Sequence, residues 1–249
     1  MSKSSRSQQS KTRAPQGKPS QPQRKAAVRS TPLSREKVLR AALRMVDRHG
    51  INALSMRKLA QTLKVEAMSL YNHVTNKEEI LDGLVELVVA DIEAPSIGGA
   101  WKVAMRQRAI SAHAVLMQHP WATMLFVSRM NIGPNMLRYV DATIGCLRDA
   151  GFSYAMTDHA WNALDAYTYG FTLQKLNFPL EPSEYASAAQ QFLPLIPVEQ
   201  FPYLNGLSQE VIAGRHDGIQ QLERGLDLIL DGLERMRADG LEPVRGQRR

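Results

Sequence analysis

The chain has 249 residues, of which 44% are hydrophobic, and a formal net charge of +7. That is enough apolar material to bury one large core or two smaller ones. A single cysteine, Cys146, excludes an internal disulfide framework and suits a reducing cytoplasm, and no apolar run reaches the roughly 18 residues of a membrane span.

Residues 1–33 carry eight Lys or Arg and no acid, and residues 1–30 hold no aromatic residue and little that is aliphatic. The composition predicts a disordered basic arm, with no apolar core of a signal peptide. Order is expected from Ser34, a helix N-cap, with Leu39, Ala42, Leu43 and Val46 at helical spacing and a stop at His49-Gly50. Ser55 caps a second short helix that turns Leu59, Ala60 and Leu63 inward. A third is expected from about Glu66 to His73. Asn76 with Glu79 three residues on reads as a capping box opening a long helix with Ile80, Leu81, Leu84, Leu87 and Val88.

Residues 34–77 hold nine basic and three acidic residues, a net +6, whereas residues 78–240 hold eleven basic and twenty acidic, a net −9. The positive end is expected to meet a polyanion, with solvated helix faces as the plainer alternative. Helices are expected near 100–118, 120–130, 134–149, 155–178 and 217–238. The segments "NFPLEPSEY" and "LPLIPVEQFPYLNG" read as Pro-broken connections, the second with short helical turns. No strand pattern of convincing length occurs, so the fold class is all-α. The predicted organisation is a helix-turn-helix head over 34–80, a helical domain over 81–240 and a disordered tail over 241–249.

Three short helices followed by a long capped one suit a helix-turn-helix, whose second helix enters the major groove. In the third helix Val65, Leu70 and Val74 cover a packing face, leaving Ala67, Met68, Ser69, Tyr71, Asn72 and His73 outside. Ser and Asn can hydrogen-bond base edges, and Ala and Met methyls can touch thymine. Tyr71, His73 and Lys77 can reach phosphate oxygens. An ordinary small helix with a core aromatic is the bland alternative.

The run "VLRAALRMVDRHGINALSMRKLAQTLKVEAMSLYNHVTNKEEILDGL" closely resembles the DNA-binding head of TetR-family transcriptional regulators. The resemblance implies that Arg57, Ala67, Met68, Ser69, Tyr71, His73 and Lys77 face DNA. Two positions depart from the pattern. Ala67 replaces a glutamine of the Tet repressor branch, so base preference should differ. Lys64 replaces a usual turn glycine, which would place a non-Gly residue in the left-handed region.

Leu222, Leu226, Ile229, Leu233 and Met236 step by four and three, an a/d seam. Spacing alone leaves open an intrachain core stripe or a partner helix. Gly225 and Gly232 would allow close helix approach there. The weaker resemblance continues through residue 236 and implies a homodimer built from helices 158–176 and 217–238. It also implies a pocket for a small organic inducer among the middle helices. Candidate lining residues are Met105, Arg108, His113, Met117, Trp121, Phe126, Trp161, Asp165, Tyr169 and Gln174, each with a core role as its alternative. Phe126 and Gln174 stand where the Tet repressor branch places a metal-binding histidine and glutamate. No metal ion or other cofactor is therefore expected, and the six histidines show no metal-ligand spacing.

The sequence thus points to a ligand-responsive regulator, most simply a repressor on a palindromic double-stranded operator. The alternative is a nucleic-acid-binding or interaction module without regulatory function. Catalysis by His113 or His159 with Asp158 or Asp165 is not expected, since no nucleophile elbow, P-loop or dinucleotide fingerprint occurs.

Overall fold

The structure, a computed structural model, describes residues 32–216 and 221–238. The described residues from Ser34 onward form one compact unit, all-α with no strand. The expected basic arm, 1–33, lies outside the described residues except for residues 32 and 33, and the expected tail, 241–249, lies wholly outside them.

Helix α1 (Arg35–His49) begins where Ser34 accepts from the Lys37 N–H, and it ends at Gly50, at φ 75°. Helix α2 (Met56–Leu63) begins the same way, with Ser55 accepting from Lys58 N–H. Its end is unusual. The Val65 N–H bonds the Ala60 carbonyl and the Lys64 N–H the Gln61 carbonyl, a Schellman closure. The residue this closure places in the left-handed region is Lys64, at φ 57° and ψ 43°. It is the one described non-Gly residue with positive φ. The tight turn thus carries a Cβ cost of about 1–2 kcal/mol that glycine would avoid.

Helix α3 (Ala67–Leu70) is a single turn, shorter than the expected 66–73, because residues 71–73 continue as turns. Leu70 and Val74 are buried and Val65 half-buried, so the packing face falls on the expected side chains. Helix α4 (Lys77–Ala90) starts at Asn76, which accepts from Glu79 N–H. The return half of the expected capping box is displaced by one residue: Glu79 Oε2 accepts from Thr75 N–H at 2.7 Å. The same carboxylate holds Arg35 of α1, at 3.1 Å.

The body contains α5 (Trp101–Gln118), α6 (Pro120–Ser128), α7 (Pro134–Asp149), α8 (Tyr154–Asn177), α9 (Tyr185–Phe192), α10 (Pro202–Ile212) and α11 (Leu222–Ala238). Helix α5 packs on α6, α7, α8 and α11. A core of Trp101, Met105, Leu147, Phe152, Leu164, Leu226 and Leu230 joins α5, α7, α8 and α11. A second, of Val88, Val89, Leu116, Ala122 and Tyr139, seats the end of α4 against the body.

Helix α9 lies between the two segments expected as connections, in a stretch for which no helix was expected, and α10 begins inside the second, where only short helical turns were expected. Each instead opens at or just after a proline-containing turn, where the missing N–H costs nothing. They pack mainly on each other and enclose an apolar cleft of about 300 Å³ with Phe178, Tyr185, Phe192 and Leu207 on its walls.

Two contacts fasten the head to the body. Asp47 of α1 accepts from both His119 Nδ1, at 2.7 Å, and Trp121 Nε1, at 2.8 Å. Arg129, just after α6, grips Glu78 at 2.6 Å and Asp82 at 2.7 Å on α4. The expected helix 120–130 stops at Ser128, and the loop beyond it closes a cavity of about 470 Å³ with Arg35, Asp82 and Glu86. Glu86 caps α7 by accepting from the Asn135 and Met136 N–H groups.

Candidate functional site

The short α3 can bury only one side. With Leu70 inward, Ala67, Met68, Tyr71 and Asn72 are exposed and Ser69 and His73 are half-exposed. Met68 is 74% exposed, which is unusual for so apolar a side chain unless something covers it. Arg57 on α2 and Lys77 at the start of α4 are exposed on the flanks. A short helix with uncommitted side chains, cations to either side and a second helix behind it has the parts needed to read base edges while gripping phosphates.

In the body, the ten candidate ligand residues separate. Met105 is fully buried in the core with Trp101 and Leu147, so its core alternative is what the structure shows. Gln174 is exposed on the outer face of α8, turned from the interior by the register of Thr168 and Thr172, which are buried. Met117 lies on a small cleft with Lys175 and Tyr185, Trp121 is committed to Asp47, and Phe126 packs edge-on to Tyr169. His113 stacks edge-on to Phe171 and its Nδ1 lies 2.8 Å from Thr172 Oγ1. That hydroxyl donates to the Thr168 carbonyl, so its proton is used and His113 Nδ1 carries the donating N–H. Burial holds the His113 pKa below its usual value, aided by Lys175.

The remaining four, Arg108, Trp161, Asp165 and Tyr169, form a polar cluster with Tyr139 of α7. Arg108 is 1% exposed, and its Nη1 donates to Asp165 Oδ1 at 2.7 Å. The other Asp165 oxygen accepts from Trp161 Nε1 at 2.6 Å. The Arg108 guanidinium carbon lies over the Tyr139 ring, 4.6 Å from its centroid, a cation–π contact. Burial opposes the Arg108 charge, but the surrounding Tyr139, Asp165 and Tyr169 outweigh it and raise its pKa. Burial pushes the Tyr139 hydroxyl up to about 12, so it stays protonated. Tyr139 escaped the sequence reading because nothing in the α7 pattern distinguishes it from a core aromatic. Asp47 and Arg129 escaped too, although an acid inside a basic head is a signal that could have flagged Asp47. Among the described residues no group of three or more His, Cys, Asp or Glu could hold a metal ion.

The seam on α11 divides. Leu222, Leu226 and Leu233 are buried in the core of their own chain, which is the intrachain alternative left open by spacing. Ile229 is half-buried and Met236 exposed. The reason is a shift of face: α8 covers the Leu226 stripe, and Leu228, unremarked in the heptad, is 74% exposed. Gly225 permits close approach, but to Tyr167 of the same chain, whose hydroxyl donates to the Leu222 carbonyl and would stand 2.1 Å from an added Cβ. A Cβ added at Gly232 would meet only the flexible end of Arg235, at 4.0 Å. Helix α8 turns Ala155, His159, Ala163, Ala166 and Gly170 outward in one stripe beside it.

With this geometry in hand, comparison with known proteins is decisive. Residues 38–84 match the family model of bacterial regulatory proteins of the tetR family, and residues 94–237 match the tetracyclin repressor-like C-terminal domain. The chain belongs to the tetR family. This tetR-family regulator is 35% identical over 139 residues to an HTH-type transcriptional regulator of Saccharopolyspora erythraea, covering 55% of this chain and 59% of that one. It is 29% identical over 209 residues to the tetracycline repressor protein class D of Escherichia coli, covering 81% and 89%. Apo ActR from Streptomyces coelicolor superposes with a TM-score of 0.74 at 26% identity, covering 85% of this chain and all of that one, and ActR is also solved in complex with actinorhodin. The all-α architecture and the helix-turn-helix head expected from sequence are those of the family, and the chain is a transcriptional regulator.

Proposed function

We propose that this regulator is a repressor acting in the cytoplasm, that it binds a pseudo-palindromic operator as a homodimer, and that a small organic ligand in the body releases it. The observation that carries the reading is the exposed face of α3, with Met68, Tyr71 and Asn72 uncommitted on a head of net +6 beside a body of net −9. Two heads are needed because a one-turn recognition helix reads too few base pairs alone, and two-fold symmetry doubles the site. The small-residue stripe of α8 with Leu228 and Gly232 of α11 supports the pairing surface. The tethers at Asp47 and Arg129 give the body a grip on both α1 and α4, so a ligand favouring one body arrangement shifts the heads by its differential affinity. Phe126 and Gln174 offer no metal ligands, which supports an inducer bound without a divalent cation.

Selection of duplexes from a random pool, followed by titration of the selected site at several salt concentrations, tests the reading. Inverted repeats are expected, and Lys77→Ala should lower the salt slope by about 0.9 per lost phosphate contact in each head. Ser69→Ala should relax preference at one position. Equal affinity for selected and scrambled duplexes at moderate salt would overturn it. Release by the natural inducer that EDTA abolishes and magnesium restores would overturn the metal-free part.

A further inference from the structure

Four consecutive residues open α4, and they are committed in four different directions. Asn76 caps its own helix by accepting from the Glu79 N–H at 2.8 Å. Lys77 is exposed on the flank of α3. Glu78 accepts at 2.6 Å from Nη1 of Arg129, which belongs to the body. Glu79 accepts from Nε of Arg35 on α1 at 3.1 Å and from the Thr75 N–H at 2.7 Å. One turn later Asp82 takes the other edge of Arg129, from Nε at 3.0 Å and Nη2 at 2.7 Å.

These ion pairs are poorly placed to hold the fold together. The Glu78 side chain is 63% exposed and that of Arg35 52% exposed. Pairs so open to water add little to stability, because water and salt answer the charges nearly as well. For a DNA-binding head, however, two acids directly after a phosphate-gripping lysine are a liability. On a helix, the next two residues are rooted within about 6 Å of the lysine, inside the Debye length of about 10 Å at 0.1 M salt. A bare carboxylate there repels the phosphates that Lys77 attracts. Protonation does not remove the charge: the Thr75 N–H, with Arg35, holds the Glu79 carboxyl below its usual pKa. A cation must answer each acid, and each acid has one, brought from a different part of the chain.

We propose that Arg35 and Arg129 are positioning residues for operator binding, which hold the acids of α4 off the operator and neutralise them so that Lys77 addresses the phosphates alone. This rests on the reading of the head as an operator-binding surface. Arg129 stands in the body, just after α6. The charge that the operator meets at Glu78 is therefore set by the body as well as by α4. A body arrangement that withdraws Arg129 bares Glu78 and Asp82, and it weakens operator binding by repulsion without any change in the spacing of the two heads.

Two sets of substitutions in the full-length protein test this, read by fluorescence anisotropy on a selected duplex at low and at moderate salt. Arg129→Gln is expected to weaken binding about fivefold at low salt, and the loss should shrink as salt rises. Adding Glu78→Gln and Asp82→Asn to Arg129→Gln should recover most of it. Arg35→Gln should behave in the same way, with recovery on adding Glu79→Gln, whose amide oxygen still accepts from the Thr75 N–H. Glu78→Gln or Glu79→Gln alone should bind more tightly than the unaltered protein, since each adds one net positive charge per head. A loss in the arginine variants that neutralising the acids does not recover, a loss that does not vary with salt, or a loss in Glu78→Gln equal to that in Arg129→Gln would each overturn the proposal, because a role confined to packing predicts them. Failure of the unaltered protein to tell selected from scrambled duplexes would instead bring down the operator reading. The same variants measured on scrambled duplex would still decide the question of charge, since phosphate attraction does not depend on sequence.

Discussion

The head and the body solve opposite problems with similar residues. At α3 and its C-cap, Met68 and Tyr71 are 74% and 47% exposed. Around Arg108, aromatic rings and an acid are packed on a charge that has almost no water. The first arrangement costs the fold little and keeps surface free for a large polyanion. The second costs desolvation and is worth keeping only if the buried charge is paired and used. Function therefore shows as exposure in one region and as over-investment in the other.

The sharpest way to break this comparison is to place a charge on each side of α11. Leu226→Arg puts it in the fully buried core, and loss of cooperative folding is expected by calorimetry. Leu228→Arg puts the same charge on the outward face, and the fold should persist while sedimentation shifts from dimer to monomer. Next, Asp165→Ala strips Arg108 of its counter-charge and should cost about 3–5 kcal/mol in urea unfolding. By contrast Met68→Ala with Tyr71→Ala should change stability by less than about 0.5 kcal/mol yet lower operator affinity about tenfold, seen by fluorescence anisotropy.

Lys64→Gly should stabilise the head by roughly 1 kcal/mol by relieving the left-handed Cβ, offset in part by the freer unfolded chain, with operator preference unchanged. The smallest expected effect is at His113. Its folded pKa is depressed, so the unfolded chain takes up the proton first, and stability is fully present above the ordinary histidine pKa and falls as pH drops below it. The slope of melting temperature between pH 7.5 and 5.5 should be shallower in His113→Gln.

Much of the head was legible because its signals are local. Ser34, Ser55 and Asn76 each accept from the backbone N–H three residues on, as their positions before apolar runs imply. The lysine in the turn announced a strained residue, and Lys64 is one. The body was legible as helices but less so as surfaces. An a/d repeat gives the period of a stripe and not which neighbour covers it, so Leu226 and Leu228 could not be told apart until α8 was in place. Helices α9 and α10 hid behind prolines that start helices as readily as they end them. The Arg108–Asp165 pairing joins residues 57 apart and leaves no local mark, although both residues stood among the candidates.

The tryptophans carry a practical consequence. The chain has three, and each donates its indole N–H to a carboxylate in a different place: Trp101 to Glu234, Trp121 to Asp47 and Trp161 to Asp165. Indole emission responds to a nearby negative charge and to entering water. The molecule is therefore a set of built-in optical gauges, one at the seat of the last helix, one at the head–body junction and one beside the buried guanidinium. A variant keeping Trp121 alone would report the opening of the head without any attached dye, and one keeping Trp161 alone would report occupancy of the interior, so the order of the two events could be read in a stopped-flow trace.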